Sequence, residues 1–152
     1  MTQHQRIRAA ESKSNVTKNN YVHIQMMDKL WGSGDPNQYL DDKTYAAYDD
    51  HRYFKWDESV EKTHDAYISK ACSDKRNSNT PTIVGEWSLA VPSDLESAGD
   101  WNPDSQKDFY SKWFAAQVQS YEQGQGWVFW TWKARLNDIR WSYQGLSHSI
   151  PI

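Results

Sequence analysis

The chain alternates short apolar runs with longer amphipathic ones. "YVHIQMM", from Tyr21 to Met27, is a compact apolar run closed by the turn-rich "WGSGDPNQ", which predicts a strand followed by a loop. "YAAYDDHRYF" gives a second strand whose polar end runs from Asp49 to Tyr53. "PTIVGEW", entered through a proline after the polar "SDKRNSNT", gives a third, and "GWVFWTW", from Gly126 to Trp132, a fourth. Helical spacing fills the intervals. "DESVEKTHDAYISKAC" predicts a helix capped by Asp57, with Val60, His64, Tyr67, Ile68 and Ala71 along one side. "NPDSQKDFYSKWFAAQVQSYEQG" predicts a stronger one, with Asn102 as cap, Pro103 in the first turn, Tyr110, Phe114, Val118 and Tyr121 on one face, and Gly124 as the stop. "QRIRAAES" near the start is a weaker helix.

Strands separated by helices need crossover connections, so the expected class is α/β with a parallel sheet. The polar residues His51, Tyr53 and Glu86, and then Trp130, all fall at the C-terminal ends of their strands. In barrels of eight βα units that end is where the loops open and active sites lie. Four units are half of such a barrel; they could equally form a small open α/β sheet.

Composition narrows the partners. The 152 residues make one domain with a net charge of −3 and no block of basic residues, which argues against nucleic acid or an anionic membrane surface. No apolar stretch approaches the roughly 20 residues of a membrane span, and the polar "MTQHQRIRAAESKSN" is not a signal peptide. The single cysteine, Cys72, cannot form an intrachain disulfide and is expected to be a buried or idle thiol. No Cys/His set has metal-ligand spacing and no glycine-rich phosphate loop is present, so neither a metal nor a cofactor is expected. Asn15-Val16-Thr17 fits the glycosylation sequon, a triplet that often arises by chance. Aromatic residues reach 14%, with nine Trp and nine Tyr. Their flat faces with polar edges suit either a core with half-exposed rims or a platform for sugar rings.

Glu86 in "TPTIVGEWSLA" is the candidate around which chemistry would gather. A carboxylate beside an imidazole, a phenol and indoles fits glycoside hydrolysis, in which one carboxylate attacks the anomeric carbon or activates water and a second protonates the leaving oxygen. The plain alternative is a strand-end glutamate in a structural hydrogen-bond network, with His51 and Tyr53 as a buried polar pair on one side of their strand.

"TPTIVGEWSLA", "GWVFWTWK" followed by "RWSY", "DDHRYFKWD" and "HIQMMDKLWGSGDP" together resemble fungal β-glucanases of glycoside hydrolase family 5, most of all endo-β-1,6-glucanases, from about Gln5 to Tyr143. The resemblance implies the C-terminal half of a (β/α)8 barrel, strands five to eight, with residues 1–152 a single partial catalytic domain. It implies a retaining mechanism on a β-glucan polysaccharide or oligosaccharide, with Glu86 as nucleophile and His51 and Tyr53 orienting it. Trp130 would be the floor for a sugar, with Trp31, Trp87 and Trp132 as further substrate contacts. The family's Asn-Glu-Pro, whose glutamate is the general acid and base, does not occur in these 152 residues. On this reading the chain begins in the helix after strand four. The resemblance also implies an extracellular enzyme, and a half barrel would offer open edges for self-association. Two alternatives follow: a non-catalytic remnant that binds β-glucan, and a half barrel that needs a second chain.

Overall fold

The computed structural model describes residues 3–16, 24–27, 46–74 and 81–152. Its elements are α1 (Gln3–Lys13), β1 (Ile24–Met27), β2 (Ala46–Arg52), α2 (His64–Ser73), β3 (Thr82–Trp87), α3 (Pro103–Tyr121), β4 (Trp127–Phe129) and α4 (Tyr143–Ser147). The four strands pair in the order β1-β2-β3-β4, every pair parallel. The α/β class and parallel sheet expected from the alternation are therefore present. The predicted first strand is seen as β1; Tyr21, His23 and the loop containing Trp31 lie outside the described residues.

One helix forms as its sequence predicts. The Asn102 side chain accepts from the Asp104 N–H at 3.1 Å, Pro103 occupies the first turn, and Gln106 Oε1 accepts from the Asn102 N–H at 2.6 Å. This α3 ends at Tyr121, and Gly124 follows it. Gly124 is required by close approach: a Cβ there would lie 2.5 Å from the Thr82 carbonyl oxygen, which also accepts from Gln125 N–H at 2.7 Å.

The other helix corrects its prediction. Asp57 does not cap it; the helix starts at His64, and Thr63 accepts from Ala66 N–H at 3.2 Å. The Asp57 carboxylate is instead taken by the N–H and hydroxyl of Ser59, two residues on, which closes a turn. Val60, assigned to that helix, is buried from the turn. Cys72, expected to be a buried or idle thiol, is a free cysteine exposed on α2.

The core lies between the sheet and the helices α2 and α3, which pack on each other. At its centre Trp87 meets Phe114, Tyr121, Trp127 and Phe129 with ring centroids 4.9–5.4 Å apart. Trp113 meets Tyr67 edge-on at 5.4 Å, tying the two helices together. Much of the aromatic content is thus spent inside.

The β3 strand does not alternate regularly. Its two buried positions, Val84 and Trp87, are three residues apart, where a regular strand would bury every second one. Asp50 pairs with Val84 while His51 pairs with Glu86, so Gly85 is one extra residue in the ladder. The same offset appears on the other side, where Val84 pairs with Trp127 and Trp87 with Phe129. This is a β-bulge, and it turns Glu86 away from the helix-covered face.

The glycine contacts predict a graded pair of variants. Gly124→Ala should lower stability by about 1–3 kcal/mol through collision with backbone. Gly99→Ala, whose nearest neighbour would be Ser97 Oγ at 4.0 Å, should change it by less than about 0.5 kcal/mol. Urea denaturation of both checks the difference.

Candidate active site

The bulge brings Glu86 opposite His51, on the same face of a parallel pair. Without the extra residue the ladder would have set Gly85 opposite His51 and Glu86 opposite Arg52. Arg52 faces the helix layer, where it pairs with buried Asp50 at 2.7 Å and reaches Asp74 at 3.6 Å. Asp49 and His51, spaced by two, share the other face with Glu86.

Tyr53, just past the end of β2, donates its hydroxyl to Glu86 Oε2 at 2.8 Å. His51 Nδ1 stands 3.4 Å from the same oxygen, and its Nε2 stands 3.6 Å from Asp49 Oδ1. The two imidazole contacts are at ion-pair range and longer than hydrogen bonds. Both residues paired with Glu86 in the sequence reading therefore reach it. Both contacts fall on the same oxygen, Oε2. Burial pushes the Tyr53 phenol above its ordinary value, and the hydrogen bond to Glu86 and that carboxylate's charge push it further. Tyr53 thus stays a proton donor to the carboxylate across the neutral range.

Aromatic rings flank this group. Trp130 and Trp132, at 48% and 63% exposure, follow β4; Trp130 N–H donates to the Trp87 carbonyl at 2.7 Å, and Trp132 stacks on Tyr143. The strand stops at Phe129, so strand alternation does not govern where these two indoles point. Trp87 must be corrected: at 0% exposure it is the centre of the core and has no face to offer a sugar. Trp31 lies outside the described residues. The structure adds two tryptophans that the sequence reading did not select. Trp56, 54% exposed, sits 5.1 Å from the Tyr53 ring and 5.9 Å from Trp141, which is itself 5.5 Å from Tyr53. Lys55 lies over one face of Trp141 at 5.7 Å. A cavity of about 490 Å³ opens here, lined by His51, Tyr53, Trp56, Asp57 and Glu58 among others. The cue in the sequence was the "YFKW" run immediately after the His-x-Tyr pair.

The arrangement holds no group of three or more potential metal ligands among the described residues. Nor is any helix among them long and apolar enough to cross a membrane.

Against known proteins, no family model matches the chain. It is 69% identical over 140 residues to "Probable glucan endo-1,6-beta-glucosidase B" of Aspergillus fumigatus, an alignment that covers 92% of this chain and 35% of that protein. The chain is similar to fungal glucan endo-1,6-beta-glucosidases over nearly its whole length. The glucan endo-1,6-beta-glucosidase B of Emericella nidulans is 60% identical over 139 residues, 91% of this chain and 34% of that protein. The chain spans about a third of the length of these curated relatives. Among solved structures, a rutinosidase from Aspergillus niger superposes with a TM-score of 0.52 at 16% identity, covering 96% of this chain and 43% of that one. That likeness concerns the fold alone. The resemblance to endo-1,6-glucanases carried by the four sequence motifs is thus found independently in these relatives.

The Tyr53 contact predicts a titration. Glu86→Gln keeps an acceptor but removes the charge, so the phenol should ionise at lower pH than in the parent chain, while burial still holds it above the ordinary tyrosine value. Ultraviolet or tyrosine-ring carbon NMR titration reads the change; a Tyr53 unmoved by the substitution would disprove the contact.

Proposed function

We propose that the chain is the nucleophile-bearing part of a retaining β-glucan hydrolase of the endo-1,6 type, built as strands five to eight of a (β/α)8 barrel. The observation that carries this reading is the geometry of Glu86: a carboxylate with 27% of its side chain exposed, at the C-terminal end of a parallel strand, with one oxygen held by Tyr53 and faced by His51. The naming of the relatives supports the substrate class, and their domain length supports a larger whole.

In this reading Oε1 of Glu86 attacks the anomeric carbon from one face while the bond to the leaving oxygen breaks, giving a glycosyl ester on the protein. Tyr53 donates to Oε2 throughout, which aims the carboxylate. Trp56, Trp141, Trp130 and Trp132 supply faces for glucosyl rings, the apolar side of each sugar lying on an indole. The leaving oxygen needs a proton, and the general acid sits on a second carboxyl roughly 5 Å from the nucleophile. By the family resemblance that part belongs to an Asn-Glu-Pro segment, which the 152 residues do not contain. The relatives are fungal glucan hydrolases, and we place the whole protein outside the cell, on glucan polymers.

A substrate whose leaving group needs no proton isolates the role of Glu86. With 2,4-dinitrophenyl 2-deoxy-2-fluoro-β-gentiobioside, dinitrophenolate departs with the bonding electron pair and the fluorosugar remains as a stable ester. Mass spectrometry of the digested chain should find one fluorosugar on the peptide containing Glu86, and none after Glu86→Gln. Glucan binding without any label on Glu86 would refute the nucleophile.

A further inference from the structure

The Glu86, His51 and Tyr53 group has a fourth member that neither the sequence motifs nor the relatives' names assign. The Asp49 carboxylate lies on the same face of β2, two residues before His51. Its Oδ1 is shut off from solvent and has no hydrogen-bond partner among the described residues. Burying a carboxylate oxygen without a partner is costly, so such an atom calls for an explanation. A donor, His51 Nε2, stands 3.6 Å away, and a shift of a few tenths of an ångström would make the contact a hydrogen bond.

A second observation bears on the same atom. A Cβ built on Gly85 would collide with Asp49 Oδ1, and also with the carboxyl carbon behind it at 2.9 Å. Gly85 does not have a positive φ, so the residue must be glycine because the Asp49 carboxylate occupies the place of its side chain. The bulged residue of β3 thus opens the space in which Asp49 stands against His51.

We infer that Asp49 is a positioning residue for the nucleophile: it accepts from His51 Nε2 and so fixes the ring plane that presents Nδ1 to Glu86. The inference rests on Glu86 being the nucleophile. An imidazole free to rotate would offer Glu86 a ring carbon as readily as a nitrogen. With Nε2–H donated to Asp49, Nδ1 faces Oε2 beside the Tyr53 hydroxyl and donates to it in the doubly protonated ring, which then fixes the carboxylate from two sides. The arrangement parallels the way a carboxylate behind a histidine sets its orientation in other catalytic groups.

The test is the rate of labelling by the same dinitrophenyl fluorogentiobioside, resolved into the limiting rate and the half-saturating concentration. Asp49→Asn keeps the shape and fills the space beside Gly85. It should lower the limiting rate about tenfold, the scale of one charge-assisted contact, and change the half-saturating concentration less than about twofold. In a His51→Gln background the same substitution should change the rate less than about twofold, because its effect runs through the ring. A parent chain that labels and an Asp49→Asn variant that labels equally fast would overturn the role of Asp49 and leave Glu86 standing. An undiminished effect in the His51→Gln background would also overturn it. A parent chain that takes no label on Glu86 would remove the underlying reading instead. Histidine nitrogen NMR on the unmodified chain decides the matter even if the variants fail to fold: a proton on His51 Nε2 supports the contact, and a bare Nε2 overturns it.

Discussion

One extra residue in one strand decides where every other group in the site can go. Gly85 breaks the two-residue period of β3, so Val84 and Trp87 both face the helices while Glu86 faces away from them. A regular strand would have put Glu86 on the face of Val84, against the aromatic side chains of α3, where an unpaired carboxylate is unfavourable. The bulge converts a buried-charge problem into an accessible carboxylate. It also brings Glu86 level with His51 and within reach of Tyr53, and its missing side chain is the space that Asp49 uses. Fold and chemistry therefore meet at a single glycine.

The surroundings keep this geometry rigid. Behind Glu86 the next residue, Trp87, is enclosed by four aromatic rings, so the strand end cannot shift without disturbing the core. The loops after β3 and β4 are joined by Arg140, whose buried guanidinium donates to Asp138 at 2.7 and 2.9 Å, to the Tyr110 hydroxyl at 3.2 Å and to the Glu96 carbonyl at 3.2 Å. Burial opposes the charge of Arg140, but the hydrogen bonds to Asp138 and Tyr110 outweigh it and hold the group protonated. Leu89 N–H donates to the Arg140 carbonyl, closing one loop onto the other, and Thr131 N–H donates to the Trp141 carbonyl within the segment after β4. Trp141 and the exposed indoles after β4 are thereby held in a fixed relation to Tyr53.

The features that were legible in the sequence are those with local causes. Asn102-Pro103 specifies a helix start by itself, and apolar runs bounded by turns specify strands. The His51, Tyr53 and Glu86 group was visible because strand-end polar residues stand out against apolar neighbours. What was hidden depends on partners distant in sequence. Asp57 is an acceptable cap by type, but Ser59 captures its carboxylate first, and the helix waits for Thr63. Trp87 looked like a surface ring beside the site because nothing in "GEWS" reveals a bulge, and only the bulge turns it inward. Trp56 and Trp141 are far apart along the chain and become one cluster with Tyr53 only in the fold. Asp49 was read as the polar end of a strand, since its significance lies in the glycine on the neighbouring one.

The most direct measurement of this account is an experimental structure of the Gly85→Ala chain set beside that of the parent. The account predicts that the methyl group drives the Asp49 carboxylate from its place beside residue 85 and that the His51 ring turns away from Glu86. An alanine accepted at position 85 with Asp49, His51 and Glu86 all in their original positions would contradict it.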